Sequence, residues 1–157
     1  MNGNWLIRTN IRVIARNLSG VIIDVVEIKN LITTVGKNLI RDGLNNVATI
    51  SDIMIKYVEV GTGNTAPVVA DTTLDTFLFR KVMTSRSTPS DGVTKCIVYI
   101  APSEAVAALK EIGWWAGASA GGAEASGVMV SRILYTRNKT SLESLQIERL
   151  DSISEVT

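Results

Sequence analysis

Short runs of β-branched residues with a period of two, each cut off by glycine, proline or a polar cluster, constrain this chain most. In Asn10–Arg16, Ile11, Val13 and Ala15 face one way, and Asn10, Arg12 and Arg16 the other, with Ile14 the exception. The Ser19-Gly20 turn leads into Val21–Lys29, so the two runs form a hairpin. Asp24 and Glu27 have opposite parity, which predicts two partly covered faces or a bulge. Ile53–Val60, Leu74–Val82, Val93–Ala101, Glu111–Ala116, Val128–Tyr135 and Glu143–Leu150 continue the series. Thr84–Gly92 reads as a polar tip, with Pro89 and Asp91-Gly92 as turn signals. Ser103–Lys110 has the composition of a short helical turn.

One segment breaks the pattern. Over residues 34–47 the apolar residues Val35, Leu39, Ile40, Leu44 and Val47 share half of a helical wheel with Gly36 and Gly43. Lys37, Asn38, Arg41, Asp42 and Asn45 take the other half, and Thr34 is the expected cap. The glycines let such a helix lie close against a sheet. The expectation is therefore a mainly β protein: a β-sandwich of seven or eight strands with one amphipathic helix. A length of 157 residues fits a single domain over 1–157, with 1–9 as an N-terminal arm and the Gly/Ala/Ser stretch 117–127 as a flexible loop.

Composition narrows the function. Histidine is absent and Cys96 is the single cysteine, which removes imidazole and thiolate zinc sites and any internal disulfide. The commonest neutral-pH acid–base group goes with the histidines. Cys96 shares its strand face with Val98 and Ile100 and reads as a small buried hydrophobe. A net charge of +1, with both signs interspersed, gives no basic stripe for nucleic acid and no patch for a membrane surface. The N-terminus lacks the pattern of a signal peptide, and no run is long enough to span a bilayer as a helix.

Three groups of residues invite a chemical reading. Gly61-Thr62-Gly63 lacks the third glycine and following helix of a dinucleotide loop, and Pro67 continues it in an extended region, so Gly61, Gly63 and Pro67 are structural turn residues. Asp71 with Asp75, and Glu104 with Glu111, are the acid pairs to check against a glycosidase cleft. Asp71, before Thr72-Thr73, reads better as a turn or cap. Trp114-Trp115 in a strand must point to opposite faces, which predicts one core tryptophan and one on the outer face. The outer one, together with Trp5, is an interface candidate. No catalytic, cofactor-binding or metal-binding residue, and no small-molecule substrate, is expected.

The order Ile55-Lys56-Tyr57-Val58, Gly61-Thr62-Gly63, Ala66-Pro67, Asp71-Thr72-Thr73-Leu74, Arg80 resembles a pattern of tailed-bacteriophage structural proteins. Glu27–Leu31 before the helix, Glu111-Ile112-Gly113-Trp114, Arg132, Lys139-Thr140 and Leu145-Gln146-Ile147 extend the resemblance over roughly Val21–Leu150. The chain departs from it three positions before Arg80, where Phe77 stands in place of an acid and Glu111 becomes the candidate partner of Arg80. The resemblance implies a virion component, made in a host cytoplasm: a tail-fibre, baseplate or collar part, or a capsid decoration protein. Its implied partners are copies of itself, as a trimer or larger array, and other virion proteins. A hydrophobic fraction of 46% against 20% charged residues fits a chain that hides surface against its own copies. The alternative is a carbohydrate-binding β-sandwich that reads a host glycan.

Overall fold

The computed structural model describes residues 5–45 and 52–155. The strands are β1 (Trp5–Asn17), β2 (Ile22–Lys29), β3 (Leu31–Ile32), β4 (Ile55–Gly61), β5 (Phe77–Val82), β6 (Ser85–Ser90), β7 (Val93–Ile100), β8 (Ala108–Ala116), β9 (Val128–Asn138) and β10 (Glu143–Glu155). The helix α1 (Thr34–Leu44) follows β3. Two antiparallel sheets result, in the orders β2-β1-β10-β7-β6 and β3-β9-β8-β4-β5. The chain passes between them four times, after β2, β5, β7 and β9. Asn30 separates β2 from β3, and at the other side Met83 donates to Lys56 in the second sheet while Thr84 donates to Ile97 in the first.

The period-two faces meet as expected. Ile11, Val13 and Ala15 of β1, Leu145 and Ile147 of β10, and Val98 and Ile100 of β7 bury against Val58 and Val60 of β4, Ile112 and Trp114 of β8, and Ile133 and Tyr135 of β9. Each such large side chain contributes roughly 1.5–3 kcal/mol on leaving water. Cys96 lies in this cluster as a free, buried thiol, and burial raises its pKa. The β1–β2 hairpin carries a register shift at Ala15/Arg16, opposite Ile22–Asp24, while Asp24 to Glu27 pair regularly with Ala15 to Arg12, so the two acids take opposite faces of β2.

α1 stops at Leu44, with Asn45 as its C-cap; the expected extension over residues 46–47 lies outside the described residues. Its N-cap is Thr33, one residue before the one expected. The Thr33 hydroxyl accepts from the Gly36 amide and donates to the Met129 carbonyl at 2.6 Å, so one side chain both starts the helix and ties it to β9. Gly36 is required by contact: a Cβ there would stand 2.5 Å from the Val130 carbonyl oxygen.

Four expectations need correction. Residues 5–9 are no free arm, because β1 pairs with β10 from Trp5↔Glu155 to Asn17↔Glu143. The polar tip at 84–92 is a strand, β6, hairpinned onto β7 through Asp91-Gly92, with Gly92 at φ +68°. No helical turn forms over Ser103–Lys110; turns lead into β8 at Ala108. The buried Lys139 ammonium donates to the Ala101 and Pro102 carbonyls there. The strands number ten among the described residues, two or three more than expected, since β3 and β6 carry too little apolar periodicity to show.

Candidate functional site

β8 alternates strictly over EIGWWA. Ile112, Trp114 and Ala116 enter the core between the sheets, while Glu111, Gly113 and Trp115 face the opposite side. That outer face would normally be solvated. Here two long loops, 62–76 and 117–127, lie across it, and each is held by a buried ion pair.

The first centre is Glu111. Its Oε1 accepts from the amides of Gly63 (3.0 Å) and Thr76 (2.7 Å), and its Oε2 from the Asp75 amide (2.9 Å) and Arg132 Nε (2.8 Å). Arg132, on β9, spends its remaining donors on Asp71 (2.8 Å) and on the Thr65 carbonyl and hydroxyl. Asp71 in turn accepts from the Val68 amide. Burial works to lower the Arg132 pKa, but the bonds to Asp71 and Glu111 raise it above the ordinary guanidinium range. One carboxylate and one guanidinium thus organise the whole of loop 62–76.

The second centre is Arg80 on β5. It donates at 2.5 Å to Glu59, which stands directly opposite it on β4. Its other nitrogens reach the Gly121 (2.9 Å) and Ser126 (2.7 Å) carbonyls. Glu59 also accepts from the Ala125 amide at 2.8 Å. Burial pushes the Glu59 carboxyl above the usual carboxylate range, against the pull of Ala125 and Arg80. Ala125 holds φ +53°, a strained value for a residue with a Cβ, so the loop is pinned in a single shape. The expected flexible loop at 117–127 is in fact anchored at three residues.

Trp115 fills the space between the two centres. Its indole folds over Gly113, where a Cβ would come within 2.6 Å of the ring, and Leu74, Met129 and Tyr57 pack around it. The Arg80 guanidinium stacks over Tyr57 (4.4 Å) and Trp115 (5.4 Å). The two tryptophans do face opposite ways, but neither is exposed: Trp114 is 1% and Trp115 0% accessible. Neither is an interface anchor as the protein stands. Trp5 opens β1 by its backbone; its side chain lies outside the described residues.

The glycine turn acquires a cause here. Gly61 and Gly63 are required by close approach: a Cβ on either would come 2.5–2.6 Å from Glu111 Oε1. Neither is among the glycines with positive φ. Gly63→Ala should therefore cost about 1–3 kcal/mol in urea unfolding, whereas Gly122→Ala, whose Cβ meets nothing within 4 Å, should change little. Pro67 lies in the loop that these contacts hold.

The acid pairs do not form a cleft. Glu104 binds Lys81 and Glu111 binds Arg132. Asp71 and Asp75 both line a polar hollow of about 410 Å³ with Thr65 and Arg132, but Asp71 is taken up by Arg132. Glu111 does not replace the missing acid before Arg80; Glu59 does. No group of three or more metal-ligating side chains occurs, and no helix is long and apolar enough to cross a membrane, among the described residues.

Sequence reading missed Glu59, and gave Arg132 and Lys139 no partner. A signal was present: Glu59 stands between Val58 and Val60, Glu111 is followed by Ile112-Gly113-Trp114-Trp115, and Arg132 precedes Ile133-Leu134-Tyr135, so each charge borders an apolar run. A charge in such a place is buried and needs a partner. The fold is thus that of a two-sheet antiparallel β-protein whose outer face is closed by ion-paired loops. No protein-family model, curated protein or solved structure matches the chain.

Proposed function

We propose that the chain is a non-enzymatic structural subunit of a tailed-phage particle, a tail, baseplate or collar component or a capsid decoration protein. The observation that supports it is how the charged groups of the outer face are used. Glu111, Arg132, Glu59 and Arg80 spend their bonding capacity on backbone amides and carbonyls of two loops. Such an arrangement gives this face one fixed, covered shape, which suits a part that must present one surface in an array. Several of the motifs that resemble phage structural proteins, Gly61-Thr62-Gly63, Asp71–Leu74, Arg80, Glu111–Trp114 and Arg132, build this face.

The carbohydrate-binding alternative relied on an outward tryptophan as a sugar platform. With Trp115 buried beneath Arg80 and Leu74, that platform is missing. The virion reading is checked by the neighbourhood of the gene and by sedimentation. Genes for capsid or tail proteins should flank it, and the purified chain should co-sediment with particles assembled from their products. Flanking genes of unrelated metabolism, with no co-sedimentation, would overturn the proposal.

A further inference from the structure

β1 is longer than the strand beside it. It runs from Trp5 to Asn17, but β2 pairs only with Asn10–Arg16, and the pairing ends at Asn10↔Lys29. Asn30 then carries the chain across to β3 in the second sheet. The part of β1 before Asn10 therefore keeps β10 on one side and loses β2 on the other. A hollow of about 570 Å³ lies where β2 departs.

The lining of this hollow is one-sided in charge. Arg8 and Lys29, both exposed, border it, and no acid does among the described residues. Neither cation is in an ion pair among the described residues, whereas Lys95, across the same sheet, is held by Glu148. The acids nearest in the sheet are engaged elsewhere. Glu27 stands opposite Arg12, two pairs further along, and Asp151 accepts from Arg149 and Thr9. Asn30 supplies a second observation. Its side-chain amide lines the same hollow, and neither its Oδ1 nor its Nδ2, both buried, has a partner. Leaving a buried amide unbonded is costly, so an orphaned one calls for a group that meets it. Both halves are unmet, so that group must accept from Nδ2 and donate to Oδ1.

We infer that this hollow binds a hydroxyl-bearing oxyanion, a phosphate that keeps a free O–H. Its anionic oxygens meet the Arg8 guanidinium and the Lys29 ammonium, bonds strengthened by charge on both sides. A further oxygen accepts from Asn30 Nδ2, and the hydroxyl donates to Asn30 Oδ1. The rest of the wall includes Ile7, Ile32 and Leu150, which offer an oxyanion nothing, so the polar side chains select the ligand. Inorganic phosphate at neutral pH and the phosphate ester of a small polyol share this chemistry. Sulfate has the charge and the shape but no hydrogen to give Oδ1. The inference concerns a small ligand and is independent of whether the chain belongs to a particle.

The test is an NMR titration of the full chain with sodium phosphate and with sodium sulfate, at fixed pH and ionic strength so that screening is constant. Phosphate should shift the Asn30 side-chain amide and the Arg8 and Lys29 backbone signals saturably, and sulfate should bind more weakly. Arg8→Gln and Lys29→Gln should each weaken phosphate binding about tenfold. Asn30→Leu should bring phosphate and sulfate level. Arg16→Gln, on the same strand face but beyond the hollow, should leave the affinity unchanged. Glycerol phosphate distinguishes the two sources: tighter binding than inorganic phosphate assigns the site to an organic phosphate, weaker binding to the free ion. Should the variants misfold, the titration of the unmodified protein decides alone. Shifts that fail to saturate or lie away from the hollow, equal binding of phosphate and sulfate, or an affinity unchanged in both glutamine variants overturns the inference.

Discussion

Glu111→Ala is expected to lower stability by about 3–5 kcal/mol, measured by urea unfolding. The carboxylate is fully buried and serves four donors, so its removal strands three amides and leaves the Arg132 guanidinium with Asp71 as its sole carboxylate partner. The loss should be local before it is global. Hydrogen exchange at Gly63, Asp75 and Thr76 should accelerate, while Ala125, which bonds Glu59 instead, keeps its protection. Glu59→Ala should give the reverse pattern. A paired replacement, Glu111→Leu with Arg132→Leu, is often nearly neutral for an isolated buried ion pair. Here it should not recover stability, because the amides and the Thr65 carbonyl would remain without partners. Equal protection of both loops in both variants would show that the centres do not act as separate anchors.

The second large effect concerns the tryptophans. Trp114→Ala and Trp115→Ala should each cost about 3–5 kcal/mol, although one ring lies between the sheets and the other outside them. A surface role for Trp115 would instead predict a near-neutral change. The two variants should differ in what they release. Trp114→Ala opens a cavity in the main core, where Arg149 lies 5.6 Å from the ring. Trp115→Ala removes the surface against which Leu74, Tyr57 and Arg80 rest, so loops 62–76 and 117–127 should both gain exchange. Near-ultraviolet circular dichroism, together with exchange at Gly63 and Ala125, separates the cases.

Legibility varied with the range of the interaction. The hairpin β1–β2, α1 and the inward face of β7 were readable because period, parity and turn chemistry are local properties. β6 was not, since Ser85–Ser90 has no apolar alternation and becomes a strand by pairing with β7. The helical turn expected near Ser103 did not form either. Its composition permits a helix, but the segment turns into β8 instead, with the Lys139 ammonium, more than thirty residues on, bonded to the Ala101 and Pro102 carbonyls. At the candidate site, glycines, tryptophans and acids were all noticed, yet their pairing was not. Glu111 meets Arg132 across neighbouring strands, and Arg80 meets Glu59 likewise; register decides such contacts, and register is a property of the assembled sheet.

By itself, the sequence determined that the chain is mainly β with one helix, which residues alternate into the core, and that Trp114 and Trp115 face opposite ways. These follow from side-chain period and backbone geometry, which each segment carries within itself. Only the tertiary structure decided that the second face of β8 is covered too. Covering it required loops from distant parts of the chain to converge on Glu111 and Arg80, and a buried charge finds its partner only when separate strands are brought into register. The same convergence removed Trp115 from the surface.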